Sequence, residues 1–115
     1  MHEASLAGGI LQLVEDVSRR ERFSRVSVLR LSVGQLANVE LEALRFSLSA
    51  IAPGTVLEGA AFEIEQPPGQ AWCLACSQSV PLPERGAACP LCGSYQLQPT
   101  GGLELRVTDM LVQDP

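Results

Sequence analysis

The four cysteines of the chain form two pairs, Cys73-Leu74-Ala75-Cys76 and Cys89-Pro90-Leu91-Cys92, with twelve residues between them. Doubled C-x2-C spacing suits one tetrahedral ion held by four thiolates, each about 2.3 Å from the metal. Two intervening residues allow a tight turn that converges both sulfurs of a pair. Pro90 presets φ for such a turn, and Gly93 after it can take positive φ without a Cβ clash. Ser77 stands at the matching place after the first pair, so that knuckle is expected to be more strained or differently shaped. Soft sulfur ligands without another redox signal favour zinc, and four protein ligands leave no open position, so the site reads as structural. Two disulfides would need an oxidising compartment, and a redox dithiol would more often be a single C-x-x-C near a βαβ pattern.

The other metal-competent residues lie at the start of the chain. His2 is the single histidine. A bulky second residue should leave Met1 in place. The α-amine of Met1, the amide nitrogen of His2 and its imidazole then fall on consecutive chelate rings, and the Glu3 amide can complete a plane of nitrogens. Square-planar nitrogen donors suit Ni(II) or Cu(II). The amides must lose protons, so binding should strengthen with pH. A nearby helix N-terminus disfavours a cation, which Glu3 offsets in part. On these residues alone, an N-terminal Met-His is usually a frayed end.

Composition limits the partners. Among 115 residues, 13 acids oppose 8 bases, all arginine, for a net charge of −5. An acidic chain is a poor binder of nucleic acid, because phosphate neutralisation needs clustered cations. The cysteine region carries one base, Arg85. Glu3, Glu15 and Asp16 flank the first apolar run, which therefore does not read as a signal peptide. No apolar stretch approaches the ~20 residues needed to span a bilayer. A cytoplasmic protein with reduced thiols is the simplest expectation. No nucleophile–base pair or phosphate loop is present, so catalysis is not expected and no catalytic residue is assigned.

The elements that must position these residues follow from periodicity. Leu6, Ile10, Leu13, Val14 and Val17 predict one helical face over 4–20. Residues 25–34 predict a strand with Leu29, Leu31 and Val33 on one face; the apolar parity switches at Val28–Leu29, so either both faces are partly covered or a bulge intervenes. A second helix is expected over about 39–52, with Asn38 as its N-cap and a stripe of Leu41, Leu44, Leu48 and Ile51. Residues 58–66 alternate as a half-buried strand that Pro67-Pro68-Gly69 ends. Trp72 and Tyr95 are expected to cover the small metal core. A third strand begins at Leu103 and resembles those before the cysteines. The expected fold is α+β: a small mixed three-stranded sheet with two helices, plus an inserted four-cysteine zinc-ribbon-like module. The expected domains are 1–67 with 101–115, and 68–100.

Met1-His2-Glu3 opening a helix, Gly34 after the first strand, Glu40 opening the second helix, the two cysteine knuckles and the C-terminal strand together resemble the HypA/HybF family, essentially over the whole chain. The resemblance implies a nickel metallochaperone without catalytic activity. It assigns transient Ni(II) to Met1, His2 and Glu3 and structural Zn(II) to Cys73, Cys76, Cys89 and Cys92. The implied partners are a HypB-type GTPase and the NiFe-hydrogenase large-subunit precursor, with urease maturation proteins in some organisms, and neither nucleic acid nor membrane. The competing reading is a zinc-ribbon adaptor for protein–protein contacts with no nickel role.

Overall fold

The computed structural model describes residues 2–113. Its elements run α1 (His2–Glu21), β1 (Arg25–Val33), a 3-10 turn (Gln35–Ala37), α2 (Leu41–Ile51), β2 (Ala61–Glu65), β3 (Gln70–Cys73), β4 (Gln78–Pro81), β5 (Leu97–Gly101) and β6 (Leu105–Gln113). Two three-stranded sheets result, in the orders β2-β1-β6 and β4-β3-β5. Packing separates the chain into two units. One comprises Met1–Leu31, Val39–Glu63 and Val107–Pro115; the other comprises Ser32–Asn38 and Ile64–Arg106. Among the described residues no helix is long and apolar enough to cross a membrane.

The first unit is a pair of helices and a mixed sheet. Arg25 meets Glu58, ahead of β2, and Arg30 meets Glu63 within it, so β1 and the segment running into β2 advance together and the pair is parallel. Ser27 bonds the Leu111 carbonyl and the Arg30 carbonyl accepts from Thr108, so β1 and β6 run in opposite senses. A parallel pair needs a crossover, which α2 supplies. The buried residues include Val26, Leu29 and Leu31 from β1 and Leu44 and Leu48 from α2. Burial changes parity along β1 where the sequence does: Val26 is buried on one parity and Leu29, Leu31 and Val33 on the other, with Ser27 and Val28 intermediate between them, so both faces are partly covered.

Two local expectations change. The buried face of α1 centres on Ala7 and Val14, one heptad apart, which leaves Leu13 47% exposed. A small residue at position 7 carries little weight in a hydrophobic pattern, although it suits close packing between α1 and α2. The cap of α2 is Glu40, whose side chain accepts from the Glu42 amide; Asn38 instead ends the 3-10 turn at φ 60, a left-handed conformation that asparagine tolerates.

The second unit is built on β3, which pairs antiparallel with β4 (Ala71 opposite Val80, Cys73 opposite Gln78) and with β5 (Cys73 opposite Leu97). Its core gathers Ala71, Cys73, Val80, Leu82 and Cys89 around Leu36. Leu36 arrives on the segment after β1, where Gly34 lets two main chains touch: a Cβ there would lie 2.1 Å from the Gly102 carbonyl oxygen. The expected aromatic cover is absent. Along β3 the side chains alternate, so Ala71 and Cys73 face inward and Trp72 faces out, 39% exposed; Tyr95 is 75% exposed. Aliphatic side chains fill the space assigned to the rings.

Candidate metal centres

Two structurally equivalent turns bring the four cysteines together. In the first, the Ser77 amide donates to the Cys73 carbonyl at 2.8 Å; in the second, the Gly93 amide donates to the Cys89 carbonyl at 2.8 Å. Ser77 takes φ 55 where Gly93 takes φ 78. The serine therefore occupies the left-handed region that glycine enters freely, which is the strain its position predicts. The Cys76 amide points at Cys73 Sγ (3.5 Å) and the Leu91 amide at Cys89 Sγ (3.4 Å), so main-chain dipoles offset sulfur charge in both knuckles.

The four sulfurs all lie within 4.8 Å of one another. Cys73 Sγ and Cys92 Sγ are 3.6 Å apart, and Cys76 Sγ and Cys89 Sγ are 3.9 Å apart. A tetrahedron with bonds of about 2.3 Å has edges of roughly 3.8 Å, so the residues present fit a zinc ion. They do not fit disulfides, whose sulfurs sit about 2.05 Å apart. The cysteines are free thiols. Their ionisation also asks for a cation. The Cys76 amide lowers the Cys73 thiol to about 7. Its interaction with Cys73, with burial behind it, pushes Cys76 up to about 12. One thiolate forms readily and the next resists, because the Cys76 proton is kept in a hydrogen bond with Cys73 and burial disfavours a second charge.

At the other candidate site, Met1 lies outside the described residues. His2 opens α1 with its side chain 56% exposed, and its Nδ1 is 3.9 Å from Glu3 Oε2. The Glu3 carboxylate, only 13% exposed, accepts from the Glu40 amide at 2.9 Å. That bond, followed by one from its own main chain, holds the Glu3 carboxyl down to about 2. His2 and Glu3 sit in the first helical turn, where amide nitrogens have no carbonyl partner within the helix. They are accordingly among the amides of α1 that a metal can claim without breaking the helix ladder.

One residue and one bond escaped the sequence reading. Leu36 belongs to the core around Cys73 and Cys89. Glu40 donates its amide to Glu3 across 37 residues of sequence. The signal for Leu36 was present in Gly34, Gly69 and Gly102, since glycines at strand ends mark close main-chain approach. No local pattern signals the Glu3–Glu40 bond.

Residues 1–112 match the family described as HypA, hydrogenase/urease nickel incorporation, metallochaperone. The hydrogenase maturation factor HypA of Polaromonas naphthalenivorans strain CJ2 is 75% identical over 114 residues, covering 99% of each chain. That of Cupriavidus necator is 68% identical over 114 residues, covering 99% of this chain and 96% of its own. In fold, the chain is similar to the solution structure of the Ni metallochaperone HypA from Helicobacter pylori, with a TM-score of 0.70 at 17% identity and full coverage of both chains.

Proposed function

The chain belongs to the HypA family of hydrogenase/urease nickel-incorporation metallochaperones, and from that premise we propose that it carries one Ni(II) on Met1, His2 and Glu3 and passes it to the NiFe-hydrogenase large-subunit precursor with the help of a HypB-type GTPase. Urease maturation proteins are further partners in this reading, supported by a family description that names urease beside hydrogenase. Nickel is the cargo. A carrier must release its ion, which favours a small exposed site over a buried cage. The observation that carries this reading is the setting of the sole histidine: His2 is exposed at the first turn of α1, beside a Glu3 whose side chain is occupied with Glu40. Nickel there would be held by the terminal amine, the imidazole of His2 and main-chain nitrogens. The Glu3 carboxylate supplies negative charge against the helix dipole.

Zinc on Cys73, Cys76, Cys89 and Cys92 would be structural, neutralising the clustered thiolates and joining the two knuckles. With four protein ligands it has no vacant position for substrate. In this reading residues 1–67 and 101–115 serve nickel, residues 68–100 serve zinc, and the chain works in the cytoplasm without catalysing a reaction. The test is nickel stoichiometry measured on three samples: free amino terminus, acetylated amino terminus and His2→Ala. One Ni(II) per chain is expected for the first and none for the others. Equal binding by all three would leave only the zinc-stapled adaptor.

A further inference from the structure

We propose that a depression in the second unit, bounded by Leu82, Arg85, Ala87, Tyr95, Leu97 and Pro99, is a docking site for a protein segment that carries an apolar side chain next to a carboxylate. The cavity measures about 250 Å³. The argument starts from Arg85, the only base between residues 66 and 105. Its Nε donates to the Leu36 carbonyl at 3.1 Å, and Leu36 is 2% exposed. The guanidinium is thus fastened to a buried piece of main chain. Among the described residues no carboxylate lies within ion-pair distance of it, unlike Arg25 and Arg30, which are paired with Glu58 and with Glu63 and Asp109. An anchored guanidinium with free terminal nitrogens is prepared for a carboxylate, because the entropy of fixing the fork is already lost.

The walls define the rest of the ligand. Leu82, Ala87, Leu97 and Pro99 are apolar, and the Tyr95 ring stands at the rim, 75% exposed. A stiff aromatic left in water beside an apolar hollow is the type of residue that dominates binding surfaces. Arg85 also lines a second depression of about 220 Å³, with Gln35, Leu36, Asn38 and Glu84. Glu84 repels an acid there. Gln35 Oε1 is already taken by the Gly69 amide at 2.8 Å. The carboxylate is therefore directed to Arg85 and the apolar side chain to the Tyr95 side. A guanidinium and apolar walls lining one hollow ask for a carboxylate and an apolar side chain on neighbouring residues of one segment. Because the chain carries a net −5, no long-range attraction draws an acidic partner in, and the specificity rests on this local fork.

The site is tested on zinc-loaded full-length protein by NMR titration with acetyl-Phe-Glu-amide. Shifts centred on the Ala87 and Leu97 amides and on the Arg85 side chain are expected. Acetyl-Phe-Gln-amide should bind about tenfold more weakly or worse, and Arg85→Gln should lose a similar factor for the acidic peptide. Arg85→Lys keeps the charge without the fork and should fall between. Since Arg85 also anchors Leu36, Tyr95→Ser at an exposed position provides a second variant that must weaken binding with zinc content unchanged. Equal affinity for the Gln peptide, insensitivity to both variants, shifts centred elsewhere, or 3-phenylpropanoate binding as tightly as the peptide would each overturn the proposal.

Discussion

The Glu3 carboxylate accepts a hydrogen bond at 2.9 Å from the backbone amide of Glu40, the residue that caps α2. Glu40 in turn accepts from the Glu42 amide at 3.1 Å. Two carboxylates thus satisfy two donors at the positive end of α2, where helix amides lack partners and negative charge is favoured. The side chain of Glu3 is committed to the fold, which leaves its main chain as the donor available to a metal. Glu3→Ala is expected to speed hydrogen exchange at the Glu40 amide. Glu3→Gln, which keeps an oxygen acceptor, should protect that amide and retain nickel stoichiometry. Unchanged exchange in the alanine variant would show that the bond does not persist in solution.

The second unit should depend on zinc far more than the first. The buried cluster around its cysteines is six residues, two of which are the candidate ligands Cys73 and Cys89. So small a core cannot offset chain entropy alone, whereas structural zinc contributes roughly 10–16 kcal/mol in comparable peptides. A chelator titration followed by hydrogen exchange should release the amides of β3, β4 and β5 while those of α1 and α2 stay protected. Cys89→Ser should behave at low chelator as the native chain does at high chelator. Simultaneous loss of protection in both units would contradict this.

The parts of the fold that could be read from sequence are those fixed by local chemistry. The cysteine spacing led to four converging sulfurs, because two-residue gaps leave a tight turn as the main solution. Glu63 and Glu65 alternating with Phe62 and Ile64 led to β2. Tertiary competition decided the remainder. Nothing near Trp72 indicates that the β3–β4–β5 register turns it outward. Asn38 is a good cap by type, yet the 3-10 turn claimed it and left Glu40 to start α2. The pairing of Glu3 with Glu40 and of Arg85 with Leu36 joins residues 37 and 49 positions apart, beyond the reach of any local pattern.

Glycine-to-alanine substitutions should change sign with position. At Gly34 a Cβ would sit 2.1 Å from the Gly102 oxygen and 2.8 Å from the Leu103 nitrogen, both main-chain atoms that cannot swing aside. Gly34→Ala is expected to cost about 3 kcal/mol or more, the upper end of overpacking penalties. Gly8 and Gly9 lie in α1 with nothing within 4 Å of their Cβ positions. Alanine at either should gain about 1 kcal/mol from helix propensity. Denaturant melts of the three variants check this, and a neutral Gly34→Ala would mean that the main chains stand further apart than 2.1 Å implies.

A pH-dependent contribution to stability is expected from the turn between α2 and β2. Glu58 Oε1 accepts from the Gly54 amide at 2.6 Å, and its other oxygen lies 3.4 Å from Arg25. The Gly54 amide first, then Arg25, holds the Glu58 carboxyl below its ordinary 4.5. A carboxyl depressed in the folded state releases its proton more readily there than in the unfolded chain. Its contribution is therefore complete above the unfolded value and disappears as pH falls through the lower folded one. Glu58→Gln keeps an acceptor for Gly54 and removes the charge. The gap in denaturant midpoint between native and variant chains should be level above about pH 5 and close as the pH drops below about 4.5. Added salt should narrow the part of the gap owed to Arg25 and spare the part owed to the Gly54 amide, because screening acts on the exposed ion pair. A gap that stays constant from neutral pH into acid would assign the difference to side-chain shape and remove the electrostatic account of this turn.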